Sequence, residues 1–447
     1  MNQSFNQLIS EIKKVPRVTL DGSVTSISSG IVQVCGLSKV GHIGDMVSLH
    51  PKSGPPILGE ILTLGKSTVS VLAESGAERI AVNDRVSHQG PIPIMPDFSW
   101  LGRVIDPFLR PLDGRPLTNG PQEVPLKARP PEPATRKRLG ARICTGIAAI
   151  DTLLPLVRGQ RLGVFAGSGV GKSTLLSDLA KGAEADVVVI NLIGERGREL
   201  RDFIDDTLGP EGLKRSVVVA ATSDQSAMAR RRAAWVGLAV AEFFREQGSH
   251  VLLLTDSVTR FAEAHREIAL SSGESASLLG FPPSTTHELM SLSERAGPGG
   301  PGAGDITAIF SVLVQGSDME GPIADTMRGV LDGHVILNRE IAERGRFPAI
   351  DVSKSVSRSL PDAATEDELG ILSRTRSTIS TYENSKVMIK AGLYNLGADQ
   401  AIDHAISTMP KIEAFLANRS LPSIEDAFSL LENCVKNSDE FEDRNRD

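Results

Sequence analysis

The stretch RLGVFAGSGVGKSTLLSDLA (161–180) constrains this chain more than any other. An apolar run enters a glycine-rich turn, and a helical pattern opening on Lys172, Ser173 and Thr174 follows at once. Backbone N–H groups of such a turn, with those at the start of the next helix, converge on one spot and form an anion cradle. Gly167, Gly169 and Gly171 allow close backbone approach and dihedrals closed to other residues. The pattern is that of a P-loop. Gly167, Ser168, Gly169, Val170 and Gly171 would wrap the phosphates, Lys172 would reach the outer two, and the Ser173 hydroxyl would bind Mg²⁺. Thr174 adds a second hydroxyl near the helix start. The strict pattern begins on Gly where this chain has Ala166, which is also small.

A P-loop needs a parallel sheet around it, and the downstream texture agrees. DVVVINLI, SVVVAAT, HVLLLTD and ITAIFSVLV alternate with helical stretches. Continuous rather than alternating hydrophobicity fits strands buried on both faces, so the expectation is an α/β core. HVLLLTD ends on Asp256. An acid at a strand end beside a P-loop can hold Mg²⁺ directly or through water, although such acids also serve as helix caps. GERGREL (194–200) follows another strand. With the phosphates neutralised, an in-line water still needs positioning and deprotonation, and Glu195 is placed for it. Arg196 and Arg260 could return positive charge to the γ-phosphate region. The same seven residues also read as a solvated helix start whose charges pair locally, and spacing leaves both readings open.

The flanks differ from this core. Residues 19–95 read as brief strands broken by turns (SSGIVQVCGL, GDMVSLHP, GEILTLG, STVSVLAESG), which suggests a small β-barrel. No Phe, Tyr or Trp lies between Phe5 and Phe98, so this segment offers no platform for stacking bases. RPPEPATRKRLG (129–140) marks an ordered connection or linker within the core region, 96–360. Beyond residue 361 the strands stop. TEDE (365–368) is a capping box, Pro422 and Ser423 open a further helix, and a charged tail closes a helical region over 361–447. Residues 1–18 place Phe5, Leu8, Ile9 and Ile12 on one helical stripe, a docking face for the chain's own fold or for a partner rather than an export signal. The net charge of −7 argues against wholesale coating of nucleic acid. The three cysteines, Cys35, Cys144 and Cys434, stand far apart and suit a reducing cytosol, and scattered histidines suggest no metal held by side chains alone.

AGSGVGKST, LIGERGREL, LLLTDSVTRFAEAHREIAL, GPIADTMRGVLDGHVILNREIAERGRFPAID and SVSR together resemble the ATPases of type III protein export, most closely the flagellum-specific branch. Wider relatives include the catalytic subunit of rotary ATP synthases. The resemblance runs from about residue 20 to about 430 and is strongest over 140–360. It implies a P-loop (RecA-like) parallel-sheet core, with ATP as substrate and Mg²⁺ as cofactor. It also implies Glu195 as catalytic carboxylate, Lys172 and Ser173 in their P-loop roles, and Asp256 as the Mg²⁺-linked acid. Arg196 and Arg260 match arginines around the γ-phosphate, Arg358 an arginine supplied by a neighbouring subunit, and Phe347 an aromatic against adenine. A plain core aromatic is the other reading of Phe347. SSGESASLLGFPPS and RAGPGGPGAGDIT depart from the family's loops. The implied setting is a homohexamer at the cytoplasmic face of the membrane, peripheral to it through the export apparatus. A stator-like regulator would sit at the N-terminal helix; export-gate proteins, substrates and chaperones would be the other partners, and nucleic acid would not. An injectisome ATPase shares the same chemistry. A rotary-synthase subunit, an RNA translocase and a subunit that binds ATP without cutting it are the remaining alternatives.

Overall fold

The computed structural model describes residues 19–28, 30–277, 280–314 and 319–436. The Phe5, Leu8, Ile9 and Ile12 stripe and the charged tail lie outside the described residues. The chain forms two compact units. One holds the described residues through Pro93 with Gln225–Ala229 and Ala264–Ala276, and the other holds the rest of the described residues.

The first unit is built on six strands: β1 (Asp21–Ser28), β2 (Ile31–Cys35), β3 (Met46–His50), β4 (Ile57–Leu64), β5 (Thr68–Ala73) and β6 (Arg85–Gly90). They close a barrel in the order β1-β2-β5-β4-β3-β6. β5 shows the cause, since its residues alternate between buried and half-buried, as a strand with one face on a core must. Val24, Val32, Val34, Leu49, Ile61, Val69, Val71 and Val86 fill the interior. The four strands expected from sequence correspond to β2–β5. β1 and β6 carry too few apolar residues to be seen by hydrophobicity, yet they pair with each other and close the cylinder.

Among the described residues the second unit contains nine strands, and β7 (Arg103–Ile105) is the first of them. It continues with β8 (Arg161–Ala166), β9 (Val187–Glu195), β10 (Ser216–Thr222), β11 (His250–Asp256) and β12 (Gly297–Pro298). β13 (Asp305–Leu313), β14 (Gly333–Leu337) and β15 (Val356–Ser357) complete it. The order is β15-β14-β8-β13-β11-β9-β10-β7, with β12 paired to β13. Neighbours from β14 to β7 run parallel. The unbroken apolar runs now have a physical reason. In β9, Val188, Ile190 and Leu192 enter one core while Val187, Val189 and Ile193 enter the other, and β10 and β11 do the same. Both faces are covered.

Three helices place the chemistry: α1 (Lys172–Gly182) after β8, α2 (Ala227–Glu246) after β10, and α3 (Val258–Ser271) after β11. The Pro-rich connection is pinned: Arg136 donates to the carbonyls of Ala296 and Pro298, and Lys137 Nζ lies 2.7 Å from Asp305. The C-terminal region is helical, with α4 (Glu366–Lys390), α5 (Gln400–Leu416) and α6 (Ile424–Val435). Thr365 and Glu368 form the capping box expected from TEDE, and Ser423 caps α6. Ile371, Leu372, Ile412, Phe415, Phe428 and Leu431 pack into the same core as one sheet face, which fixes these helices to the sheet.

Candidate active site

Ala166 ends β8 with no exposed surface, paired to Leu313 and Leu337. A strand-end position tolerates a Cβ, so Ala serves where the strict pattern has Gly. The turn that follows does need glycine. Gly169 and Gly171 have φ of 76° and 86°, and Gly171 caps α1 in the left-handed region. A Cβ on Gly171 would stand 3.1 Å from the Phe347 ring, so this aromatic lies directly against the cradle. Arg339 donates from Nη2 to the Ser168 carbonyl at 3.0 Å and braces the tip of the turn. The Ser173 and Thr174 side chains open outward on the first turn of α1.

The parallel order brings the carboxyl ends of β8, β13, β11 and β9 to one edge. Lys172 Nζ ion-pairs with Asp256, and Glu195 Oε1 lies 3.6 Å from the same nitrogen. Ser311, on the intervening β13, donates to Asp256 at 2.6 Å. Burial first, then the Asp256 charge, push the Glu195 carboxyl up to about 7 against the pull of the Lys172 ammonium. Glu195, Asp256 and Ser173 line one cleft of about 210 Å³ together with Glu199, Asp202 and Thr207. Glu195 therefore faces the cradle. Of the two readings left open by spacing, the solvated helix start describes only its neighbours: Arg196 is 81% exposed and pairs with Glu199 at 3.2 Å.

Arg260, on α3, donates to Glu263 at 2.8 Å, and its aliphatic stem crosses Gly194. Gly194 has φ of 74°, and a Cβ there would meet the Arg260 stem at 3.0–3.3 Å. Arg260 thus rests on the backbone immediately before Glu195. Arg358 is elsewhere. It follows β15, whose Ser357 pairs with Gly333 at the start of β14, while His334 pairs with Gly163 early in β8. The P-loop leaves the opposite end of β8, roughly 10 Å of strand further on. Arg358 is exposed and donates to the Arg328 carbonyl at 3.2 Å. It cannot serve the cradle of its own chain.

Ser311, Arg339, Glu199 and Gly194 were not singled out from sequence. The GER spacing points to Glu195 but carries no mark of what Gly194 must clear, and Ser311 has no local signal within its apolar strand. For Mg²⁺ the donors fit: the Ser173 hydroxyl and Asp256 carboxylate are hard oxygens on one cleft. Among the described residues no cluster of three or more His, Cys, Asp or Glu could hold a metal unaided, so the ion's remaining ligands would be phosphate oxygens and water.

A glycine cradle on a parallel sheet, with its lysine between two carboxylates at the strand ends, defines a P-loop nucleoside triphosphatase. Flagellum-specific ATP synthases of Caulobacter vibrioides and Bacillus subtilis are 43% and 44% identical to the chain, over 96% and 84% of it and 98% and 86% of their own lengths. The chain belongs to this family of ATPases. The ATP synthase alpha/beta family, nucleotide-binding domain, matches residues 146–357, and the T3SS EscN ATPase C-terminal domain matches 364–430. The assembled ATPase EscN from the enteropathogenic E. coli type III secretion system superposes with a TM-score of 0.86 at 37% identity, over 93% of this chain and 100% of that one. EscN in complex with its central stalk EscO gives 0.84 at 38%, with the same shares covered.

Proposed function

We propose that this chain hydrolyses ATP as a homohexameric ring that drives flagellar type III protein export, releasing and unfolding substrates from their chaperones. The observation that carries the catalytic reading is Lys172 standing between Asp256 and Glu195 at the mouth of the P-loop. Phosphates arriving at Gly167–Thr174 draw the Lys172 ammonium toward them and leave the Glu195 carboxylate to take a proton from the attacking water. A carboxyl poised near neutrality is suited to that task. Mg²⁺, held by Ser173 and Asp256, would supply charge neutralisation at the phosphate oxygens. Arg260, packed on Gly194, approaches the γ-phosphate from the Glu195 side, whereas Arg196, exposed and paired with Glu199, stays at the rim. Phe347 packs against the adenine. Arg358, displaced to the far end of its own sheet, completes the neighbour's site.

A stalk partner follows from the EscN–EscO likeness, and the N-terminal stripe is the surface for a stator-like regulator. Export-gate proteins bring the ring to the cytoplasmic face of the membrane. Among the described residues no helix is long and apolar enough to cross one. The flagellar system is preferred to the injectisome because the curated relatives that match this chain over most of its length bear the flagellum-specific name. The purified protein should hydrolyse ATP only while Mg²⁺ is available, and deletion of its gene should abolish filament assembly. Hydrolysis that survives chelation, or intact filaments, would contradict the reading.

A further inference from the structure

The segment that carries Phe347 is held at both ends. Upstream, Arg339 donates to the Ser168 carbonyl. Next to Phe347, the Arg346 guanidinium donates to the Ile350 carbonyl at 2.8 Å and so closes its own turn. Its Nε lies 2.5 Å from Glu413 Oε2 on α5, and the arginine side chain is only 9% exposed. Glu413 belongs to the C-terminal helices, far from this segment in sequence. Beside the pair lies a cavity of about 640 Å³, bounded by Arg344, Arg346, Tyr382, Ile406, Met409 and Glu413. Apolar packing ties Ile350 to the core shared with Ile379, Met409 and Ile412, and at Arg346 the pair with Glu413 adds a polar bond to α5 beside this cavity.

We propose that Arg346 and Glu413 form a positioning latch that keeps Phe347 on the P-loop, so that the C-terminal helices set nucleotide affinity. The inference rests on the reading that ATP occupies the P-loop. Three contacts lie in one chain of support: Glu413 holds Arg346, Arg346 fixes the turn that bears Phe347, and Phe347 covers Gly171. A displacement of α5 at this point moves the aromatic wall of the nucleotide site without touching Glu195 or Lys172. The latch thus acts on binding and leaves the chemical step alone.

The test is a KM-against-kcat comparison on the full-length protein, together with the Kd of a fluorescent ADP analogue. Glu413→Gln should raise KM and Kd about tenfold while kcat stays within about twofold of wild type. Glu413→Asp, which keeps the charge, should recover most of the affinity. Arg346→Gln should weaken binding similarly, and the double variant should bind no worse than the weaker single, because both changes break one pair. A Glu413→Gln protein that melts earlier but binds nucleotide like wild type would overturn the proposal and leave a merely structural bridge. Should that variant not fold, Arg346→Lys carries the same test: weakened binding supports the latch, and unchanged binding overturns it. Wild-type protein that binds no ADP analogue would instead remove the reading on which the latch rests.

Discussion

Replacing Glu195 by Gln keeps the side chain's size and removes its charge, which should stabilise the nucleotide-free protein in a pH-dependent way. Burial and the Asp256 carboxylate lift the Glu195 carboxyl from 4.5 to about 7. Below the lower value the group is neutral in folded and unfolded chains alike and costs nothing. As pH rises, the unfolded chain ionises first while the folded site resists, so stability is lost progressively through about 7. Above both values the penalty is complete, about 3 kcal/mol for a displacement of that size. The Gln variant never meets it. Urea denaturation at a series of pH values should show wild type and variant equal near the acid end, with the variant gaining about 3 kcal/mol by roughly pH 8. A gain that does not change with pH would mean that burial does not lift the Glu195 carboxyl. So would a variant less stable than wild type at alkaline pH, since attraction to Lys172 would then outweigh burial.

Gly194→Ala should displace the Arg260 stem, which already approaches the missing Cβ to 3.0 Å. We expect kcat to fall about tenfold or more with nucleotide Kd preserved, and stopped-flow binding beside steady-state turnover measures both. Arg358→Ala and Glu195→Gln proteins should each be inactive alone. When mixed they should regain hydrolysis, because an intact P-loop in one subunit then meets an intact arginine from the next; no recovery in a mixed-ring phosphate-release assay would place Arg358 outside the site.

The parts of this molecule set by local chemistry were legible in the sequence. The P-loop is contiguous, so its cradle follows from residue order, and the buried strands β8–β11 and β13 announce themselves by apolar runs that feed two cores at once. The capping box at Thr365 is a four-residue signal and forms as expected. The alternatives for Glu195 needed strand order to separate, because whether it faces solvent or Lys172 depends on β9 lying near β8 in the sheet, with only β13 and β11 between them. Arg358 likewise acquires meaning only from register, which puts it at the wrong end of its own sheet. Short or polar strands such as β1, β6 and β7 owe their state to their partners and carry little periodicity. Phe347 against Gly171, and Arg346 against Glu413, join residues distant along the chain, and no spacing rule encodes them.

If the carboxylate at 195 performs the chemistry and does not hold the nucleotide, a Glu195→Gln protein loaded with ATP and Mg²⁺ should bind ATP with wild-type affinity. Its phosphate release, followed in a single turnover, should be slowed about 10²–10⁴-fold. Release at the wild-type rate from fully bound ATP would contradict that role for Glu195.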